Sequence, residues 1–457
     1  MNEIIAIDTP SLGDRAYLVT GGATAVVIDA QRDIDRVLAV AAEHDVVITH
    51  VLETHIHNDY LTGGLALARA TGADYLLNAD DPVSFERHPV SDGDVIDAGA
   101  FSIRVLATPG HTFTHLSYAL LDGGAVPAVF TGGSLLNGST GRTDLLGEEH
   151  KLALTAAQFG SARRLAGELP GSTRVCPTHG FGSFCSATSA VGGAATTLAQ
   201  ELRGNPALTM DEAQYVATLI AGLDDYPAYY AHMSPANLAG PAAPDLTPPR
   251  QASPAELRRR IDAGEWVVDL RSRTAFARGH LPGTLNFGLG QSLATYLGWL
   301  IPWGTPLTLL GDTERDVAEA QRELARIGID RPAAAISGGL SRWLDGTAPG
   351  SFAVADFAAL AGRAGRADRR DLVVLDVRRR SEWDSGHLRG ALHIPLHELA
   401  ARIGEIPPGQ VWVHCQAGYR AAIAASLLAT VGRDVVAIDA DFSTAADPGL
   451  MGTGNLV

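Results

Sequence analysis

The sequence predicts an α/β protein of three domains, and three observations point there. At 457 residues the chain is long enough for about three domains of roughly 150 residues, each with its own core. Its 46% hydrophobic residues, 19% charged residues and 50 glycines match a globular α/β composition and exclude a disordered or fibrous chain. A segment around His280 recurs around His387, an offset of 107 residues, so the second half is a tandem of one unit.

In the first half, from Ala16 to about Pro177, β-branched runs alternate with helical patterns, and four runs end at polar turns. Val47–Glu53 reads as a buried strand and leads into Thr54-His55-Ile56-His57-Asn58-Asp59-Tyr60. Phe101–Ala107 alternates apolar and polar residues and reaches Thr108-Pro109-Gly110-His111. Ala128–Thr131 runs into Gly132-Gly133, and Arg174–Cys176 into Pro177-Thr178-His179-Gly180. Strands lying side by side would deliver these histidines to one rim, where open sheets place their sites.

Residues 232–254 carry six prolines and read as a linker. Beyond it, Val268-Asp269-Leu270-Arg271 through Gly279-His280-Leu281 recurs as Leu375-Asp376-Val377-Arg378 through Gly386-His387-Leu388. The expected domains are 1–245, 250–350 and 352–457.

A formal charge of -16, with Lys151 the only lysine, argues against nucleic acid or anionic membranes as partners. Three scattered cysteines, Cys176, Cys185 and Cys415, cannot make a disulfide framework and suit a reducing cytoplasm. The N-terminus lacks the pattern of a signal peptide. The most apolar window, Leu293–Leu310, is broken by Gly298, Pro302, Gly304 and Pro306, so no spanning helix is expected.

His55 and His57 stand two apart with Asp59 two further, so alternate side chains on a turn can converge on one cation. His111 adds a third imidazole and His179 a fourth, and three imidazoles with an open position suit zinc or iron. These residues resemble the metallo-β-lactamase superfamily, with its H-x-H-x-D-H signature. Thr108-Pro109-Gly110-His111-Thr112 with His115, Gly141-Arg142-Thr143-Asp144, and the segment from Pro177 to Cys185 look like its persulfide dioxygenase branch, whose fused members carry two rhodanese-like repeats. The resemblance implies an N-terminal αββα sandwich over roughly residues 5–230 and a mononuclear ferrous ion, with zinc as the alternative metal.

Two departures bear on that metal. Tyr60 stands where the family has the last histidine of its signature, and Gly133 where it has the aspartate completing a two-histidine, one-carboxylate set. What is left is either a site from His55, His57 and His111, with Asp59 and His179 around it, or an inherited, weakly metallated pocket. Arg142 is a candidate contact for a carboxylate of a glutathione-like substrate. Cys185 matches a cysteine of the fused family and reads equally as a buried core residue.

Val411–His414 reads as a buried strand, Cys415 to Arg420 spells C-Q-A-G-Y-R, and Ala421–Thr430 reads as a helix. Such a loop turns backbone N–H groups toward the cysteine sulfur at a positive helix end, which favours a nucleophilic sulfur anion, and Arg420 adds positive charge for an anionic donor. The loop resembles the active-site loop of rhodaneses, in which cysteine cycles through a persulfide. The first copy reads Leu310-Gly311-Asp312-Thr313 at that place and holds no cysteine, so it cannot carry sulfane sulfur.

The resemblance implies a cytoplasmic sulfur-metabolism enzyme that oxidises glutathione persulfide or a related small persulfide to sulfite at iron. Cys415 would exchange sulfane sulfur with thiosulfate and glutathione-like thiols, and the chain would self-associate into a homo-oligomer. The rivals are a sulfurtransferase with a metal-poor first domain, and a zinc-dependent thioester hydrolase of the glyoxalase II type.

Overall fold

The computed structural model describes residues 2–187, 195–290, 292–365, 371–446 and 450. The chain divides into two compact units, one of Met1–Asp245 with Leu324–Gly328, the other of Leu246–Glu323 with Ile329–Val457.

In the first unit, β1 (Glu3–Thr9), β2 (Asp14–Gly21), β3 (Thr24–Ile28), β4 (Val47–Leu52), β5 (Asp74–Asn78) and β6 (His88–Val90) form one sheet in that order. A second sheet runs in reverse order from β12 (Thr196–Thr197) through β11 (Arg174–Pro177), β10 (Ala125–Gly132), β9 (Leu116–Asp122) and β8 (Ser102–Ala107) to β7 (Val95–Asp97). Alternating apolar residues of the two sheets, among them Val26, Ile28 and Leu52 facing Val105, Tyr118 and Phe130, make a buried layer between them. Helices α1 (Asp35–Glu43) and α2 (Gly64–Thr71) cover the outer face of the first sheet. The helices α3 (Lys151–Glu168), α4 (Leu198–Gly204), α5 (Pro206–Thr209) and α6 (Glu212–Gly222) cover that of the second. This is the expected αββα sandwich.

Two expectations change. The histidine-bearing strand ends do not lie side by side in one sheet: β4 belongs to the first, and β8, β10 and β11 to the second. They meet because the stacked sheets share one end. The proline-rich stretch is not all linker, since α7 (Tyr230–Ala239) runs through Pro235. Its buried Tyr230, Met233 and Asn237 follow helical spacing, and packing along that face outweighs the hydrogen bond that proline cannot donate.

The second unit holds two parallel sheets with helices between their strands. The first runs β14 (Leu285–Asn286), β13 (Trp266–Asp269), β15 (Leu307–Leu310), β16 (Ala334–Ile336). The second runs β17 (Ala353–Ala355), β21 (Val435–Ile438), β20 (Gln410–His414), β18 (Leu372–Asp376), β19 (Leu392–His393). Apart from the added β17, the order is the same in both, so the sequence repeat is a structural repeat.

Its shared residues do the same work in each copy. Arg271 pairs with Asp269 and donates to the Gly279 carbonyl, as Arg378 pairs with Asp376 and donates to that of Gly386. Phe276 stacks on His280 at 4.0 Å and Trp383 on His387 at 3.8 Å. Phe442 lies under the Arg378 guanidinium, 3.6 Å from its ring centre, as Trp343 lies under Arg271, so both copies keep an aromatic cover on this arginine.

Candidate active sites

The turn after β4 carries His55, the turn after β8 carries His111, and the turn after β11 carries His179; all three rings are buried. One ligand atom from each lies within 4.8 Å of the others. Each Nδ1 is held by oxygen. That of His111 lies 2.7 Å from the Arg142 carbonyl, which only accepts, so it carries the proton. That of His179 lies 2.9 Å from the Asp14 carboxylate. That of His55 lies 2.9 Å from Thr54 Oγ1, whose own hydrogen goes to Asp29. The Nε2 atoms of His55 and His111 therefore present lone pairs, that of His111 buried without a hydrogen-bond partner, whereas Asp59 and Asp14 outweigh burial and push the His179 pKa well up, so its Nε2, 3.3 Å from that of His55, carries a proton that a metal would displace.

His57 points elsewhere. Its Nε2 lies 3.3 Å from Asp29, 3.2 Å from Glu53 and 2.9 Å from the Tyr60 hydroxyl, and the Tyr60 ring stacks on it at 4.3 Å. Burial alone would lower the His57 pKa, but the two carboxylates outweigh it and push it up to about 9. Burial and neighbouring imidazoles instead push His111 down to about 3 and His55 well below the usual range. His57, Asp59 and His179 also lie within 4.8 Å of one another, but they share His179 with the first group, and Asp59 faces the Nδ1 side of that ring at 3.3 Å. The expected trio of His55, His57 and His111 thus differs from the one that converges, because a buried carboxylate pair holds His57.

Arg142 and Cys185 are not placed as substrate contacts. The Arg142 guanidinium is buried, paired with Asp144 at 2.7 and 2.8 Å, and donates to the carbonyls of Phe184 and Asp224. Cys185 is fully buried, its sulfur 3.9 Å from the Tyr230 hydroxyl, and burial pushes its thiol pKa well up. Sequence reasoning missed Asn237, whose side chain donates to the carbonyls of His57 and Tyr60 and accepts from the Thr62 N–H, tying α7 to the histidine turn. It also missed Asp14 and Asp29. An aspartate opening β2 and another directly after β3 were the available signal.

In the second unit, β20 ends at His414 and α16 (Tyr419–Thr430) begins after Gly418. The Cys415 sulfur, 2% exposed, accepts from the N–H groups of Gly418 at 3.2 Å and Ala421 at 3.4 Å. Gly418 has φ +89, and a Cβ there would collide with Asp439, so the loop needs glycine at this position. Arg420 differs from expectation: both terminal nitrogens bind the Glu382 carboxylate at 2.6 and 2.7 Å. Its charge is largely spent on shaping the loop.

The rhodanese-like domain family matches residues 253–345 and 361–444. A crystal structure of a metallo-β-lactamase from Staphylococcus aureus subsp. aureus COL, 27% identical, aligns with 74% of this chain and 99% of its own at a TM-score of 0.67. The chain is a metallo-β-lactamase-fold domain fused to two rhodanese-like domains. Hydroxyacylglutathione hydrolase from Rhodobacter capsulatus is 36% identical over 160 residues, 35% of this chain and 58% of that protein. A hydroxyacylglutathione hydrolase-like protein from Gallus gallus is 32% identical over 168 residues, 36% and 56% of the two chains. The chain thus spans a little over half the length of the curated relatives it matches. The crystal structure of ETHE1 from Myxococcus xanthus, 30% identical, covers 52% of this chain and 98% of its own at a TM-score of 0.45.

The metallo-β-lactamase-fold domain offers a donor set that fits a metal ion: three convergent Nε2 atoms, each ring oriented from behind by an oxygen. Imidazole suits zinc and iron alike. In the first rhodanese-like domain, the helix α11 (Glu314–Arg326) starts at Thr313, whose N–H donates to Asp316 while its hydroxyl accepts from the Asp316 N–H.

Proposed function

We propose that the chain is a sulfur-handling enzyme in which Cys415 carries sulfane sulfur as a persulfide and the first domain oxidises a small persulfide to sulfite at a ferrous ion held by His55, His111 and His179. The observation that carries the transfer half is the Cys415 sulfur, held by two backbone N–H donors at the start of α16. These partial positive charges favour a sulfur anion at that point. The anion attacks the outer sulfur of thiosulfate, the S–S bond breaks, and sulfite leaves with the electron pair, leaving Cys415 as a persulfide.

In the first domain a bound metal supplies open positions for oxygen or sulfur ligands. The chain does the rest: Asp14, Thr54 and the Arg142 carbonyl fix the three rings, and burial excludes water. Overall, one persulfide, one dioxygen and one water give one thiol, one sulfite and two protons.

The test has two arms. Cys415→Ala abolishes sulfur transfer from thiosulfate to cyanide; transfer near wild type would refute the nucleophile. Iron-loaded protein consumes oxygen with glutathione persulfide, and His55→Ala and His179→Ala do not.

A second reading, thioester hydrolysis with zinc, is favoured by the relatives' hydrolase names and by three convergent imidazoles, which suit zinc. Hydrolysis of S-lactoylglutathione by zinc-loaded protein without oxygen uptake by the iron form would select it.

A further inference from the structure

The first unit includes a short segment from far along the chain, Leu324–Gly328, which takes in the end of α11. Its Arg326 is buried and engaged at both ends. Nε and Nη2 bind the buried Asp33 carboxylate at 3.1 and 2.7 Å, and Nη1 donates to the Ser11 hydroxyl at 3.0 Å. The Arg326 carbonyl accepts from the Leu61 N–H at 2.8 Å, and that of Ala325 accepts from Arg32 at 2.9 Å. Asp33 and Ser11 stand 293 and 315 residues away in sequence.

Ser11, Asp33 and Leu61 belong to three different turns, and each turn carries part of the frame around the histidines. Ser11 sits in the turn between β1 and β2 that leads into Asp14, the acceptor for His179 Nδ1. Asp33 lies in the stretch after β3 that begins with Asp29, whose carboxylate accepts from the Thr54 N–H and hydroxyl and lies against His57. Leu61 directly follows the turn that holds His55, His57 and Tyr60. The turns also bind one another: Thr9 donates to Gln31, and the Gly63 N–H and Thr62 hydroxyl donate to the Ala30 carbonyl. A guanidinium suits this junction because its planar fork serves two acceptors in fixed directions.

We propose that Arg326 is a positioning residue of the histidine site, locking the turns that carry Asp14, Asp29 and His55 so that the imidazoles keep one spacing. This rests on the reading of His55, His111 and His179 as metal ligands. Arg326 acts on the rings only through the turns that bear them. Imidazoles held at fixed spacing bind an ion without an ordering cost; once the turns shift independently the ion must impose that order itself, and its affinity falls.

The test reads zinc affinity by chelator competition and the visible absorption of the cobalt-loaded full chain. Arg326→Ala weakens zinc about tenfold and changes the cobalt bands, which report ligand geometry, while sulfur transfer from thiosulfate to cyanide stays as in wild type. Arg326→Lys, which keeps the charge toward Asp33 but not the fork, recovers part of the affinity. Asp33→Ala costs less affinity on the Arg326→Ala background than it does alone. Should Arg326→Ala fail to fold, Ser11→Ala, which removes a single hydrogen bond, carries the same test with a loss of about threefold. Wild-type affinity and an unchanged cobalt spectrum in folded variants of lowered thermal stability would make Arg326 a packing contact alone and overturn the proposal. Failure of the underlying reading has its own signature: His111→Ala that binds zinc as tightly as wild type.

Discussion

A side chain at Gly133 and the ring of His111 exclude each other: a Cβ built on Gly133 would lie 2.6 Å from Cγ and 2.8 Å from Nε2 of that ring. The imidazole fills the place from which a carboxylate at 133 would project, so an aspartate there and His111 in this position are incompatible. Gly133→Asp is then an overpacking substitution. It lowers unfolding stability by about 1–3 kcal/mol and reduces metal retention by moving His111. Denaturant unfolding and elemental analysis check both; tighter metal binding at unchanged stability would show that the ring moves freely.

Asp14 holds the His179 Nδ1 at 2.9 Å and is fully buried. Asp14→Asn keeps the shape and weakens the orienting acceptor, so metal affinity measured by chelator competition drops about 10- to 100-fold with the three imidazoles intact. Equal affinity in the variant would mean that the His179 ring is oriented by packing alone.

Much of this was legible in the residues. The repeat was visible because Asp-x-Arg and Gly-His are buried pairs with fixed partners in each copy, and the Cys415 loop because six contiguous residues build it. The identity of the convergent imidazoles was not. His57 has the right spacing, but spacing cannot show that Asp29, 28 residues earlier and just past β3, and Glu53 capture its Nε2. Arg420 reads as a substrate cation until the fold brings Glu382, 38 residues away in sequence, onto it. In each case a long-range carboxylate decides what a local motif does.

The His57 arrangement makes a stability prediction of its own. His57→Ala leaves Asp29 and Glu53 buried without their shared cation, a loss of about 3–5 kcal/mol for a broken buried pair. Chemical denaturation at neutral pH reads it directly. A cost below about 1 kcal/mol would mean that water or a proton on Glu53 compensates.

Glu382 supplies the pH dependence of the second active site. Burial alone would raise its carboxyl pKa, but Arg420, held bidentately, outweighs it and brings the value from the usual 4.5 down to about 2. A depressed acid contributes stability that is complete well above its unfolded pKa and is lost as pH falls through the folded one. The difference between wild type and Glu382→Gln is therefore largest near pH 7, on the order of 2 kcal/mol, and shrinks below about pH 4.5 toward zero near pH 2. Paired urea titrations from pH 7 to 3.5 measure it. A gap that stays constant or widens over that range would show that Arg420 is held by the fold around it and not by the Glu382 carboxylate.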